Sequence, residues 1–460
     1  MSIQSFLGSV KERWQEGDSW REPGDEIPQR HIDPAIRREA FRLTSNEPGS
    51  LELGWLSIPV WARILAVYLA SRIVTTIILL TFAAREDATW QTNPQPNYLE
   101  FANIWDAEWY SRIAYGGYPT TLPMDDQGHI TENAWAFMPV YPCLIRLMMA
   151  ITGMPFEALS ITISVLAGLG VAFAVHRLFS HVVDPSGAMF GTALVCFMPT
   201  SVIFQVGYAE ALHAFLLTVL LICLVERRWM VMVPVIVLAS FTRPTGLAWA
   251  MTLVLYLAYR IWTARRGLEQ FSTTERWDVV IAIVVSVISG FGWVFVAWIA
   301  TGIPSAYLDT EFAWRSHYTG WDTFHGPFTG WFQGAQYWID FATGRSLPEP
   351  WRDVLTWGGG AVVVVLFFGC CFGLIASRLG ARLGIEIRLW LVSYLSYILA
   401  VFFPQSSTFR LLMPLFPSLA VVGVPKSPLY RVVMMVLSIL GQVAWIWMCW
   451  YVIDYDWSPP

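Results

Sequence analysis

Long apolar runs alternate with short polar turns along this chain, and most of the runs have the length of a membrane crossing. They occupy residues 57–83, 156–177, 187–206, 209–226, 229–242, 246–262, 278–301, 355–377, 387–403, 411–425 and 431–452. A helix of about 20 residues spans a hydrocarbon core of about 30 Å. Open backbone polar groups cannot face lipid, so the runs are read as helices. The expected fold class is therefore all-α and polytopic, with about 11 transmembrane helices. Residues 136–152 are also apolar, but Pro139 and Pro142 mark their start and Arg146 interrupts them. They are read as an interfacial or re-entrant helix.

The charges in the turns orient this pattern. With the N-terminus inside, the inner turns carry Arg177; Arg227 and Arg228; Arg260, Arg265, Arg266 and Arg276; Arg378, Arg382 and Arg388; and Lys426 and Arg431. Each is basic, as the positive-inside rule requires. Counting 136–152 as a full span would turn those basic turns outward. Residues 1–56 then form a polar cytoplasmic arm, and 57–453 a transmembrane domain whose first helix acts as an uncleaved signal anchor. Two large loops face outward, 84–155 and 302–354, and 454–460 form a short outward tail. Loops of that size are usually functional or disordered. Their Trp and Tyr content speaks against disorder, and also fits an interfacial aromatic belt.

Composition agrees with a membrane protein: 55% of residues are hydrophobic and 14% charged, against about a quarter charged in soluble domains. Cys143, Cys196, Cys223, Cys370, Cys371 and Cys449 lie in or beside apolar segments. They are read as small hydrophobes, neither a disulfide framework nor a zinc site. No basic stretch points to nucleic acid. There is no P-loop and no GxGxxG, so any chemistry must use substrates found at the membrane.

Five stretches break the apolar pattern. Residues 101–119 read FANIWDAEWYSRIAYGGYP. Residues 103–115 are expected to form an amphipathic helix stopped by Gly116–Gly117, with Glu108 and Arg112 paired at i,i+4. Asp106 has Trp109 and Tyr110 at those positions instead of a base. An acid without a local partner is a candidate proton acceptor with a raised pKa; a solvated acid at a helix N-terminus is the plain alternative. FMPVYP at 137–142 is an extended turn feeding a helix. PTSVIFQVGYAEALHAF at 199–215 places Glu210 between two apolar runs, with His213 one turn on. An acid there lines a cavity, pairs, or sits in water. Arg243 in FTRPTG and Arg410 in PQSSTFRLLMP lie at outward turns, against the positive-inside pattern. Each suits bidentate phosphate binding or snorkels to headgroups.

Together these stretches resemble a family. WDAEWYSRIAYGGYP is similar to the WD-x-x-x-Y-x-x-I-A-x-x-G-Y block of PIG-V-type mannosyltransferases, and FMPVYP resembles their FFPxYP block. PTSVIFQVGYAEAL resembles P-x-S-x-F-x-x-x-Y-x-E-x-L, and FTRPTG resembles [AT]-x-R-x-x-G. The four blocks occur in family order over residues 100–250; beyond 250 the match rests on hydropathy and FRLLMPLFP. The resemblance implies a GT-C fold and an inverting transfer of a sugar, mannose in this family, from a polyprenyl phosphate to an acceptor hydroxyl on the extracytoplasmic side. It implies Asp106 as general base, with Trp105, Glu108, Trp109, Tyr110, Tyr208, Glu210, His213, Arg243 and Arg410 around the substrates. His213 is outside the quoted motifs. The acceptor would be a glycolipid, a lipoglycan or a protein, in a bacterial plasma membrane. No cofactor is expected. Asp106 and Glu108 resemble a D-x-E metal pair, but on a helix they diverge. The alternatives are another polyprenyl-linked sugar, such as a pentose, and a lipid or sugar transporter.

Overall fold

The computed structural model describes residues 58–321, 326–342, 351 and 354–452. The arm expected at 1–56, the tail at 454–460 and parts of the 302–354 loop lie outside the described residues. The chain divides into two units, 1–66 and 67–460. The described part of the first is the start of a helix; the second holds everything considered below.

In chain order the main helices are α1 Val60–Ala83, α2 Asp106–Gly116, α3 Val140–Thr152, α4 Phe156–Phe179, α5 Pro185–Phe197, α6 Glu210–Val225, α7 Trp229–Ser240, α8 Gly246–Arg265, α9 Thr273–Thr301, α10 Ala306–Thr319, α11 Gly330–Ala342, α12 Gly359–Ala376, α13 Gly384–Val401 and α14 Pro428–Trp445. Among the described residues, seven helices are long and apolar enough to cross a membrane: α1, α4, α8, α9 and α13, with α12 and α14 taken with their flanking turns. Large apolar side chains of α9, α12 and α14, such as Ile288, Leu366 and Leu437, are exposed. Exposed apolar area on this scale suits lipid, not water. The chain is an all-α integral membrane protein.

Several expected spans take a different form. The 187–206 run is no single helix: α5 ends at Phe197 and Pro199–Gln205 continues as a 3-10 segment, bent by 73°. Pro199 cannot donate the next helical bond. The 411–425 run is a series of short turns, Thr408–Leu411, Met413–Ser418 and Leu419–Val422, interrupted by Pro414 and Pro417. Helices α6 and α7 are 16 and 12 residues long. The 302–354 loop contains two helices, α10 and α11. Helix α2 begins at Asp106, three residues later than its sequence pattern suggests.

The bend after α5 leaves backbone carbonyls without helical partners, and a buried arginine replaces them. Arg72 of α1 donates to the carbonyls of Cys196 at 2.9 Å and Ser201 at 2.8 Å, and to Gln205 Oε1 at 3.1 Å. Gln442 Nε2 reaches the carbonyl of Phe197 at 2.8 Å. In a hydrocarbon setting such groups must be satisfied within the protein. Arg72→Met should therefore destabilise the protein by roughly 3 kcal/mol, since several bonds from a charged donor are lost and their acceptors stay buried. Thermal melting in detergent measures this; an unchanged Tm would show that Arg72 is not what supports the bend.

Helix α4 packs along α6, α8 between α9 and α13, and α7 against α9. Gly246 makes the α8–α9 crossing possible: a Cβ there would meet Gly290 Cα at 2.7 Å. The turn between α7 and α8, with Arg243, lies beside the N-terminus of α6, where Arg243 meets Glu210.

Candidate functional site

Helix α2 is entered through a strained residue. Trp105 has φ +61°, a region that side-chain-bearing residues avoid, at about 1–3 kcal/mol. Its backbone N–H donates to Gln91 Oε1 at 2.8 Å, and its indole Nε1 to the carbonyl of Trp450 at 2.9 Å. These bonds hold the turn that starts α2. Gly117, with φ +77°, ends it. Ala107, Tyr110, Ile113 and Ala114 form its buried face, and Asp106 sits at its first turn.

The segment before α6 reaches the same place through Gly207. A Cβ on Gly207 would meet Asn103 Oδ1 at 2.3 Å and Ala107 Cβ at 3.1 Å, so only glycine permits this contact. Its N–H donates to the carbonyl of Ala102 at 2.9 Å. Asn103 is held by Ser160 Oγ at 2.6 Å and donates to the carbonyl of Glu157 at 3.1 Å. Tyr208 then lies against α2, and its hydroxyl accepts the Asp106 backbone N–H at 3.2 Å.

Four charged side chains meet here. Arg410 Nη1 is ion-paired with Asp106 Oδ2 and lies 3.0 Å from Glu210 Oε1. Arg243 Nη2 approaches the same Glu210 oxygen at 3.4 Å. The Arg410 guanidinium also lies 5.0 Å from the Tyr208 ring centre. Asp106 is therefore not partnerless, as local spacing implies; its partner is 304 residues away. The cluster has two carboxylates and two guanidiniums, so its formal charge is zero. That balance matters, because removing one member of a buried pair costs about 3–5 kcal/mol.

The cluster leaves hydrogen-bonding capacity unused. Arg410 Nε, both Glu210 oxygens and the Tyr110 hydroxyl are buried, without hydrogen-bond partners among the described residues. Burial raises the Tyr110 phenol above its usual range, so it stays a neutral donor. Such groups call for a ligand or water. A ligand able to use a guanidinium N–H and a phenol O–H together is an oxygen-rich anion or a sugar.

The remaining expected site residues fall into distinct places. Trp109 stacks on Phe137 at 5.7 Å and meets Trp314 edge-on at 6.0 Å. His213 is buried one turn below Glu210, with Nε2 3.0 Å from Thr245 Oγ1; it ties α6 to the start of α8 and does not join the ion cluster. Glu108 pairs with Arg112 at 2.5 Å on the exposed side of α2, away from Asp106. The two carboxylates of the D-x-E stretch thus face different ways.

Sequence spacing missed Glu311. It lies on α10 in the second large loop, hydrogen-bonded to Tyr307 one turn earlier and within electrostatic reach of Arg243. The stretch AYLDTEFAWRSHYT does carry a signal, since Tyr307, Glu311 and Trp314 share one helical face.

No family model matches the chain, and no curated protein does. Among solved structures the chain is similar to oligosaccharyltransferases of Archaeoglobus fulgidus. One, tethered to an acceptor peptide containing an NVT sequon, is 13% identical, with a TM-score of 0.39 over 83% of this chain and 54% of that one. Another, AglB in complex with an inhibitory peptide and a dolichol-phosphate, is 12% identical, with a TM-score of 0.41 over 85% and 55%. A third, in complex with Zn and sulfate, is 13% identical, with a TM-score of 0.42 over 82% and 52%. The chain spans about half the length of these proteins, and at these TM-scores the similarity carries no argument about what it does.

Proposed function

We propose that the chain is a membrane glycosyltransferase that moves a sugar, mannose by resemblance to the PIG-V-type family, from a polyprenyl phosphate to an acceptor hydroxyl. The observation that carries this reading is the meeting of Asp106, Glu210, Arg243 and Arg410 in one cluster with unused donors. They come from four separate stretches of the chain. Arg410 Nε, the Tyr110 hydroxyl and both Glu210 oxygens remain open to a ligand at this one place.

The proposed step is a single displacement. The acceptor oxygen attacks the anomeric carbon while Asp106 takes its proton. The bond from that carbon to the phosphate oxygen breaks, and the electron pair leaves with polyprenyl phosphate. Arg243 and Arg410 stabilise the charge growing there. The anomeric configuration inverts. Glu210 holds both guanidiniums and keeps them from repelling each other. The guanidiniums supply the positive charge, so the reading needs no metal. The basic turns, including Arg177 and Arg228 on Glu226, each at 2.7 Å, support placing the cluster on the extracytoplasmic side.

The test is transfer by the purified full chain in lipid vesicles. Labelled polyprenyl-phosphate mannose should lose its sugar to a mannolipid or lipoglycan acceptor, giving the inverted anomer and free polyprenyl phosphate. Transfer from a pentose donor and not from the mannose donor would change the sugar and keep the chemistry. Movement of intact lipid across the bilayer without cleavage would replace the reading with transport.

A further inference from the structure

The second large loop brings a third carboxylate to this site. Helix α10 is pinned to the first loop by Asn133 Nδ2, which donates to the buried Thr310 Oγ1 at 2.8 Å. The neighbouring residue, Glu311, is solvent-reached but ringed by protein groups: Tyr307 on its own helix, Tyr397 of α13 and Arg243. Burial raises its carboxyl to about 7, while the Tyr307 hydrogen bond and the Arg243 charge pull it back down. Trp314, one turn further along the same face, meets Trp109 at 6.0 Å and Phe137 at 6.3 Å. Along one strip, α10 therefore carries a carboxyl within electrostatic reach of Arg243 and an aromatic ring packed on the first loop.

That pairing suits a carbohydrate. A sugar has an apolar C–H face that packs on an aromatic ring, and hydroxyls that need two-oxygen acceptors held in place. Arg243 is ion-paired with Glu210 at 3.4 Å and lies within electrostatic reach of Glu311. A phosphate seated on Arg243 would carry its sugar into the space between Glu311 and Trp314. An ionised Glu311 directly against that phosphate would repel it, so its partner must be the neutral, hydroxyl-bearing part of the donor. Resting on the glycosyltransferase reading, we propose that Glu311, held by Tyr307, is a sugar-binding residue that hydrogen-bonds a hydroxyl of the donor's transferred sugar. It recognises the sugar and takes no proton in the reaction.

The experiment compares two lipids on the full chain in nanodiscs: a short-chain polyprenyl-phosphate mannose and the same polyprenyl phosphate without sugar. The wild type should bind the sugar-bearing lipid more tightly. Glu311→Gln and Glu311→Ala should each weaken that lipid by about tenfold or more, the scale of one lost bond to a charged group. Both should leave the affinity for polyprenyl phosphate unchanged. That second affinity also shows that the variants are folded. A variant that keeps the wild-type preference for the sugar-bearing lipid, or that weakens both lipids equally, overturns the assignment of Glu311 alone. A wild type that binds neither lipid overturns the donor reading itself.

Discussion

Asp106→Asn should lower sugar transfer by about 10²–10⁴-fold, the usual contribution of a positioned general base. The substitution is nearly isosteric, and the bond from the residue-106 backbone N–H to the Tyr208 hydroxyl needs no carboxylate, so the start of α2 keeps its place. Arg410 keeps Glu210 at 3.0 Å as an anionic partner, which limits the structural damage. What Asn cannot do is take the acceptor's proton. Donor affinity should hardly change, because the loss falls on the chemical step. Glu108→Gln is the matched control: it breaks a half-exposed pair with Arg112, worth about 0–1 kcal/mol, and should leave turnover within a few-fold of wild type. Near-normal turnover by Asp106→Asn, with the control also active, would remove Asp106 from the reaction.

The spans were legible because lipid imposes a length. Helices such as α4 and α9 need a continuous apolar run. Where proline meets that requirement the sequence is ambiguous. Pro199, Pro414 and Pro417 lie in apolar runs that hydropathy alone joins into helices, and the break at Pro199 is tolerated because the buried side chains of Arg72 and Gln442 satisfy the freed carbonyls. That compensation comes from residues more than a hundred positions away, where local spacing has no access to it.

The candidate site divides along the same line. Asp106, Glu210, Arg243 and Arg410 each stand out as a charge at the edge of an apolar run, which is costly and therefore informative. Their pairing was not legible. Asp106 looks unpartnered within one helical turn, and only the fold brings Arg410 to it. His213, one turn on from Glu210 and outside the motifs, bonds Thr245 across helices, a contact that spacing does not show. Glu311 was missed for the opposite reason: in a loop already rich in polar residues, one more acid has no contrast to mark it.

Arg243→Lys and Arg410→Lys should fail in different ways, although both keep their charge. A lysine cannot present two parallel N–H groups to a phosphate, so each variant should lose about 10²-fold or more in kcat/KM for the donor, on the scale of removing one preorganised donor to a developing anion. The split between KM and kcat should separate them. Arg243 has a single, longer contact with Glu210, at 3.4 Å, and its side chain is 17% exposed, against 7% for Arg410. It is the more open of the two to an arriving phosphate, so its loss should appear mainly as a higher donor KM. Arg410 is committed to both Asp106 and Glu210 before any substrate arrives. Its loss should appear mainly in kcat, because a lysine there cannot hold both carboxylates and Asp106 drifts from the acceptor oxygen. Arg410→Ala is a poorer test, since it leaves two buried carboxylates with only Arg243 and costs about 3–5 kcal/mol of stability. Equal effects on KM alone from both lysine variants would mean that Arg410 binds phosphate and does nothing to position the base. No effect of Arg243→Lys on donor dependence would make Arg243 a structural partner of Glu210 and leave Arg410 as the phosphate ligand.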